Sequence, residues 1–376
     1  MKSETQWVTG GTGLVGAALV VELLTRTDDH IVCPTRHKEG LAPQARLTQV
    51  LQSAARAYGH DATLDAEIAG RCLAVPAELT QPLCGVAPAS HAGGRAREFW
   101  HCAADLRYED RYWPELQRTN ITGTRHALAL ADALGCEVYN QVSTAYVAGS
   151  REGILYEEPA DAACINNRYE ESKVAGEDVV RRATGMTTRI LRPSIVIGHS
   201  VTKQAVGGLT GAYSVVQRLA QAQQTLARRG VSEAVSILLP ADPAIPINFV
   251  PVNLVAADAV SLSTARAAGG IFHLTHPHPL ALGQTLDLAS AMTGLAPPRY
   301  ALADVQATAI DRVISRQMDF YKSYMRGEKV FDQTSLLTAV PAAALPAFRL
   351  DVPDLAEYYH WYLQHIGHQP ALPQPA

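Results

Sequence analysis

The sequence predicts an α/β protein, a doubly wound parallel sheet with a smaller lobe interleaved in its second half. Two observations predict it. Through the first 200 residues, apolar strand-like runs alternate with helix-like segments. Those runs are continuous rather than alternating, as in strands covered on both faces. After Arg192-Pro193 the rhythm changes to a Gly-containing loop and shorter segments.

In order, Gln6–Thr9 reads as a short buried strand and Leu14–Leu24 as a helix apolar on most faces. His30–Cys33 is a second strand, followed by a helical region over about 41–58. Cys72–Val75 and Glu98–Cys102 are the third and fourth strands. Residues 114–134 are helical by apolar spacing. Glu137–Val142 is a fifth strand, Tyr169–Arg182 a helix and Thr188–Leu191 a sixth strand. Beyond the loop with Gly207, Gly208 and Gly211 come a helix near 213–229 and a strand near 234–239. Ile247–Pro251 and Ile271–Leu274 read as extended, the latter returning to the main sheet. Residues 303–326 and Tyr358–His365 read as helical. The expected division is a nucleotide-binding domain over 1–200 with return strands near 247–275, and a lobe over 201–246 and 276–368. The Pro-rich 369–376 forms a disordered tail.

At 376 residues the chain can bury a large core. It is 47% hydrophobic, with mean hydropathy near zero. A net charge of −4 without a Lys/Arg block excludes nucleic acid or an anionic membrane as the main partner. Six scattered cysteines without a C-x-x-C pair read as reduced thiols. With no leader and no spanning apolar run, a cytoplasmic location is expected.

The segment TGGTGLVG (9–16) fits G-x-G-x-x-G from Gly11 and also the spacing Gly10, Gly13, Gly16. It lies between a strand and a helix, where glycine backbone can approach a pyrophosphate at a helix N-terminus. At the end of the second strand an acid would select NAD. The chain instead runs Cys33-Pro34-Thr35-Arg36-His37-Lys38. Arg36, helped by Thr35 and Lys38, suits the 2′-phosphate of NADP, so NADP is favoured over NAD.

Tyr169 and Lys173 stand four apart and share a helix face. A nearby ammonium favours the phenolate, so Tyr169 is expected with a lowered pKa, as the group that exchanges a proton with a carbonyl oxygen. Ser143 and Thr144 end the fifth strand, where a hydroxyl can orient a substrate oxygen; the residues alone allow either.

Glycine loop, hydroxyl pair and Tyr/Lys helix come in one order. With WHCAADLRYED (100–110), NITGT (120–124), VSTAYV (142–147), YEESK (169–173) and LRPSIVIGHS (191–200), the chain resembles an extended short-chain dehydrogenase/reductase. It is most similar to the thioester reductase and fatty acyl-CoA reductase (male sterility) branch. The resemblance is strong over 1–200 and continues through INFVPVNLVAADAV (247–260) and YKSYMRGEKVFD (321–332). It implies a Rossmann-type fold, with Thr144, Tyr169 and Lys173 as catalytic residues, Gly149 falling on the family's glycine after this strand. It implies cofactor contacts by Gly10, Thr12, Gly13, Leu14, Val15 and Gly16. Ala103 and Ala104 would lie along the cofactor, Asn120 falls on the family's Asn, and Pro193, Ile195 and Val196 would flank the nicotinamide. Ala77-Glu78-Leu79 replaces the family's Gly-Asp-Leu, so Glu78 and Leu79 would sit near the adenine. TKQAVGG (202–208) departs from the family at the substrate mouth.

The resemblance implies reduction of an acyl thioester by NADPH to an aldehyde, or on to an alcohol. The chain holds no adenylation or carrier region, so the acyl group would arrive on coenzyme A or a transient carrier protein. A homodimer is also compatible. The alternatives keep the triad: a ketone or aldehyde reductase, an alcohol dehydrogenase, a sugar-nucleotide epimerase or a non-catalytic NADP sensor. His276-Pro277-His278 reads as a surface turn rather than a metal site. His199 reads equally as a substrate-facing or a structural residue.

Overall fold

The computed structural model describes residues 4–38, 40–88, 96–231, 234–301, 311 and 323–371. Seven parallel strands form the central sheet: β1 (Thr5–Thr9), β2 (His30–Thr35), β3 (Cys72–Pro76), β4 (Ala96–His101), β5 (Val138–Val142), β6 (Thr187–Pro193) and β7 (Gly270–Leu274). Their order is β7-β6-β5-β4-β1-β2-β3. The chain reverses direction across the sheet between β1 and β4. Ligand crevices of open α/β sheets form at that switch, outside the carboxyl ends of the strands.

Helices cover both faces, as the continuous apolar strands require. One face packs α1 (Leu14–Arg26), α2 (Pro43–Ala57), α3 (Thr63–Arg71) and α7 (Val252–Thr264), with Val8, Leu19, Leu23, Ile31, Ile68 and Val260 in one apolar core. The other packs α4 (Gly123–Ala133) and α5 (Arg168–Arg181) over Trp7, Phe99 and Tyr139. A third core joins α6 (Ala212–Arg228), α8 (Leu282–Met292) and α9 (Val352–His365). Among the described residues no helix is long and apolar enough to cross a membrane.

Several elements differ from the sequence reading. The helix expected over 114–134 is α-helical at Trp113–Leu116 and Gly123–Ala133, with a wider π-type turn at Gln117–Thr122 between. That turn brings Asn120 against α5, where a Cβ on Gly176 would sit 3.1 Å from the Asn120 carbonyl oxygen. The strand expected near 234–239 pairs only at Leu238–Leu239. The last helix starts at Val352, because Asp351 caps it by accepting from the Asp354 N–H at 2.9 Å. Helices α3, α7 and α8 form where the sequence pattern predicts none. The helix expected over 303–326 lies largely outside the described residues, as do 372–376 of the tail. The six cysteines are free; Cys33, Cys72, Cys84 and Cys136 are buried.

Inside the sheet Glu98 on β4 and Arg189 on β6 form an ion pair at 3.2 Å, with side chains 1% and 2% exposed. Asn140 on β5 donates to the same Glu98 oxygen at 2.8 Å, and Ser263 on α7 to the other at 2.7 Å. Arg189 also donates twice to the Ala267 carbonyl.

Candidate active site

The turn after β1 settles which glycine spacing matters. Gly10 has φ +71°, and a Cβ there would lie 2.7 Å from the Ala103 nitrogen. The turn closes by the Gly13 N–H donating to the Gly10 oxygen at 2.8 Å. A Cβ on Gly16 would fall 2.2 Å from that same oxygen. Gly10, Gly13 and Gly16 therefore make the turn, while Gly11 packs on Cys33. Gly13 caps α1 without a side-chain bond, and no acid stands in its first turn. The helix N-terminus keeps amides and a positive dipole end for an anion.

This turn borders one cavity of about 620 Å³. Thr12, Leu14, Val15, Arg36, Glu78, Leu79, Ala103, Ala104, Pro193, Ile195 and Val196 all line it. Asn120 does not border it. Its side chain accepts from the Asp105 N–H and donates to the Asp105 carbonyl and Ser172 Oγ, each at 2.8 Å. It thus ties the segment after β4 to α5 from behind the wall. Thr35 lines the cavity, but its hydroxyl donates to the Cys33 carbonyl at 2.9 Å. Lys38 is exposed and does not line it. Arg46 on α2 lines it, a position that no sequence motif marks. Its guanidinium donates to Thr12 Oγ1 at 2.9 Å and to the Arg36 carbonyl at 3.0 Å, which places a second cation beside the glycine turn.

Thr144, Tyr169 and Lys173 meet at the same cavity. Thr144 ends the extended backbone after β5, and its Oγ1 accepts from the Tyr146 N–H at 3.2 Å. Its own proton remains available to donate. Ser143 also borders the cavity; its enclosed hydroxyl has no partner among the described residues. Gly149 has φ +60°, and a Cβ there would come 1.9 Å from the Cys164 carbonyl oxygen, so the chain after Thr144 admits only glycine. Asn167 caps α5 by accepting from the Glu170 N–H at 3.0 Å, which aligns Tyr169 and Lys173 on one face.

Lys173 Nζ donates to the Val142 carbonyl at 2.9 Å and lies 5.9 Å from the Tyr169 ring centre. Burial pushes the ammonium down to about 8, against the pull of Glu177 and Cys102. Tyr169 differs from the expectation. Burial first, then the neighbouring Glu170 carboxylate, push its phenol well above the ordinary value. Burial and Glu170 act in the same direction, so the Tyr169 phenol keeps its proton. Tyr324, from the far part of the chain, joins the same wall; its hydroxyl donates to Glu170 Oε1 at 2.6 Å.

His199 does not border the cavity. It stacks on Tyr58, its Nδ1 accepts from the Val201 and Thr202 amides, and burial pushes it down to about 4. His276 is buried rather than in a surface turn, with Nδ1 facing the His278 carbonyl and Nε2 that of Phe348. Tyr359 as well as Tyr324 lies on the cavity wall.

With this geometry in place, the family described as "Male sterility protein" matches residues 8–259. A linear gramicidin synthase polypeptide of Brevibacillus parabrevis is 29% identical over 208 residues, 52% of this chain and 4% of that protein. Fatty acyl-CoA reductase 1 of Mus musculus is 26% identical over 221 residues, 50% of this chain and 42% of that protein. The chain thus spans less than half the length of either relative. Among solved structures, the terminal R domain from the myxalamid PKS-NRPS biosynthetic pathway superposes with a TM-score of 0.73 at 24% identity. The match covers 100% of this chain and 93% of that one, a likeness of fold.

Proposed function

Since the chain belongs to the male sterility protein family, we propose that it is an NADPH-dependent reductase of acyl thioesters carried on coenzyme A or a carrier protein. The observation that carries this reading is the continuity of the cavity. It runs from the glycine turn past Thr144, Tyr169 and Lys173 to a wall of Ile247, Phe249, Leu282 and Leu286. A chain that is apolar beyond its reacting carbon fits that wall. A sugar nucleotide would find few partners on it.

The residues present fit a dinucleotide. At Gly10 and Gly16 a Cβ would collide with backbone, so a pyrophosphate can approach the bare turn and the start of α1. Arg36 and Arg46 would hold the 2′-phosphate, Glu78 and Leu79 would meet the adenine, and Ala103, Ala104, Pro193, Ile195 and Val196 would flank the rest. When bound, the reduced dinucleotide supplies hydride to the acyl carbon. Thr144 and Tyr169 hold the carbonyl oxygen, and Tyr169 gives it a proton as the carbon becomes tetrahedral. Tyr169 takes that proton back as the C–S bond breaks. Thiolate leaves, is protonated by water, and aldehyde remains. Going on to the alcohol would need a second reduced dinucleotide in place of the spent one, with Tyr169 giving the aldehyde oxygen its proton.

The direct test follows NADPH loss and thiol release together, with acyl-coenzyme A and acyl-pantetheine beside a panel of ketones and aldehydes. Matched loss and release supports the reading. Turnover confined to ketones or aldehydes replaces it with a carbonyl reductase.

Two further outcomes are expected. Replacing Arg36 or Arg46 by Ala raises KM for NADPH by about ten- to a hundredfold, the size of a lost charge-assisted bond, and leaves KM for NADH nearly unchanged. Equal loss with both cofactors would assign the guanidinium to the fold. The second concerns pH. Lys173 sheds its charge near pH 8, whereas the Tyr169 phenol keeps its proton well beyond that. Turnover is therefore full below about 8 and falls as pH rises through it. Lys173→Arg, charged throughout, removes that break. A wild-type profile flat across this range refutes the assignment.

A further inference from the structure

We propose that the Tyr359 phenol makes the enzyme select acyl groups that carry a hydrogen-bonding oxygen along the chain over plain hydrocarbon chains. The inference rests on the thioester reading of the same cavity and deepens it to a substrate class.

Tyr359 lies on α9, which packs against α6 and α8 in the third core. The cavity wall drawn from the second half of the chain is otherwise mostly hydrocarbon, with Phe249, Leu282, Leu286 and Met325 beside it. Tyr359 borders the cavity and is 3% exposed. Its hydroxyl has no hydrogen-bond partner among the described residues. Burial alone pushes the phenol upward, so the group stays a neutral O–H that can donate or accept.

Of the other hydroxyls that border the cavity on this side, Ser194 donates to Asn248 Oδ1 at 2.6 Å, Tyr324 donates to Glu170, and Thr285 donates to the Leu282 carbonyl at 2.8 Å. Thr210 is exposed and Ser214 only half-buried, so neither hydroxyl is enclosed as that of Tyr359 is. The neighbouring Tyr358 hydroxyl is enclosed without a partner but does not border the cavity. A hydroxyl without a partner in an apolar wall is unfavourable, and phenylalanine would fill the same volume without that penalty. The missing partner has to come from what fills the cavity. A plain hydrocarbon cannot supply it, whereas a hydroxyl, keto or amide oxygen on the acyl chain can. A site built to bond such a group rejects the analogue that lacks it more strongly than a hydrocarbon pocket rejects a missing methylene.

The test is a series of acyl-pantetheine thioesters of equal length, plain or with one hydroxyl at successive chain carbons, assayed with the intact protein and NADPH. The wild type is expected to prefer one hydroxylated member by about tenfold in kcat/KM. Tyr359→Phe removes the preference by losing activity on that member alone. Melting with the non-reducible amide analogues gives a readout without turnover: the hydroxylated analogue stabilises the wild type more than the plain one, and the variant equally by both. No preference in the wild type overturns the inference. So does an equal loss on plain and hydroxylated members, which would place the phenol on the pantetheine arm or in the fold. If the wild type consumes no thioester of either kind, the reaction reading falls and takes this inference with it. Reduction without discrimination removes the inference alone.

Discussion

Tyr169→Phe is expected to lower turnover by about 10²–10⁴-fold while NADPH binds as in the wild type. The substitution keeps the ring against Lys173 and removes one O–H. The cavity wall, the α5 cap at Asn167 and the glycine turn are untouched. What is lost is the proton given to the acyl oxygen, and Thr144 alone would then hold that oxygen. Near-ultraviolet absorbance of NADPH reads the turnover, and quenching of protein fluorescence reads the binding. Turnover within about threefold of wild type would remove Tyr169 from the chemistry, since positioned acids contribute orders of magnitude. Weakened binding instead would make it a cofactor contact.

The second large effect is expected at Gly16. In Gly16→Ala the new methyl would sit 2.2 Å from the Gly10 oxygen, far inside van der Waals contact. The obstacle is backbone, and that oxygen also accepts the Gly13 bond that closes the turn. The turn must open, which moves the amides at the start of α1. NADPH affinity is expected to fall by about a hundredfold, or roughly 2.7 kcal/mol. Overpacking of this kind also costs about 1–3 kcal/mol of stability. Calorimetric titration and thermal melting check the two halves. Gly70→Ala is the control, because no atom lies within 4 Å of a Cβ there and the residue does not border the cavity. Unchanged affinity in Gly16→Ala would detach the turn from the nucleotide.

These two residues also mark what sequence reveals and what it leaves hidden. The glycine turn was legible because it is local: strand, tight turn and helix lie within about twenty residues. Its exact spacing was not, since Gly11 fits the pattern as well and only the approach of Ala103 to Gly10 separates them. The strands of the first half were legible from continuous apolar runs. Helices α7 and α8 were missed because they are buried on most faces and show little polar periodicity. The Tyr/Lys spacing placed both side chains on one face but gave the wrong direction for the phenol. Burial is a tertiary property, and together with the Glu170 carboxylate it sets the direction, while the ammonium stands 5.9 Å from the ring centre. Arg46, Tyr324 and Tyr359 reach the cavity from elements remote in sequence, and no local pattern points their side chains there.

The Glu98–Arg189 pair bears on how such a chain can change in descent. Loss of either partner breaks a buried pair inside the sheet, at about 3–5 kcal/mol, with only the more distant Arg97 Nε, 3.8 Å from the other Glu98 oxygen, left beside the carboxylate. That is a large share of the roughly 5–15 kcal/mol that keeps a typical protein folded. Joint replacement by apolar residues of similar volume is often neutral. Lineages are therefore expected to hold both residues or neither, and the single-change intermediates between them should be purged by selection.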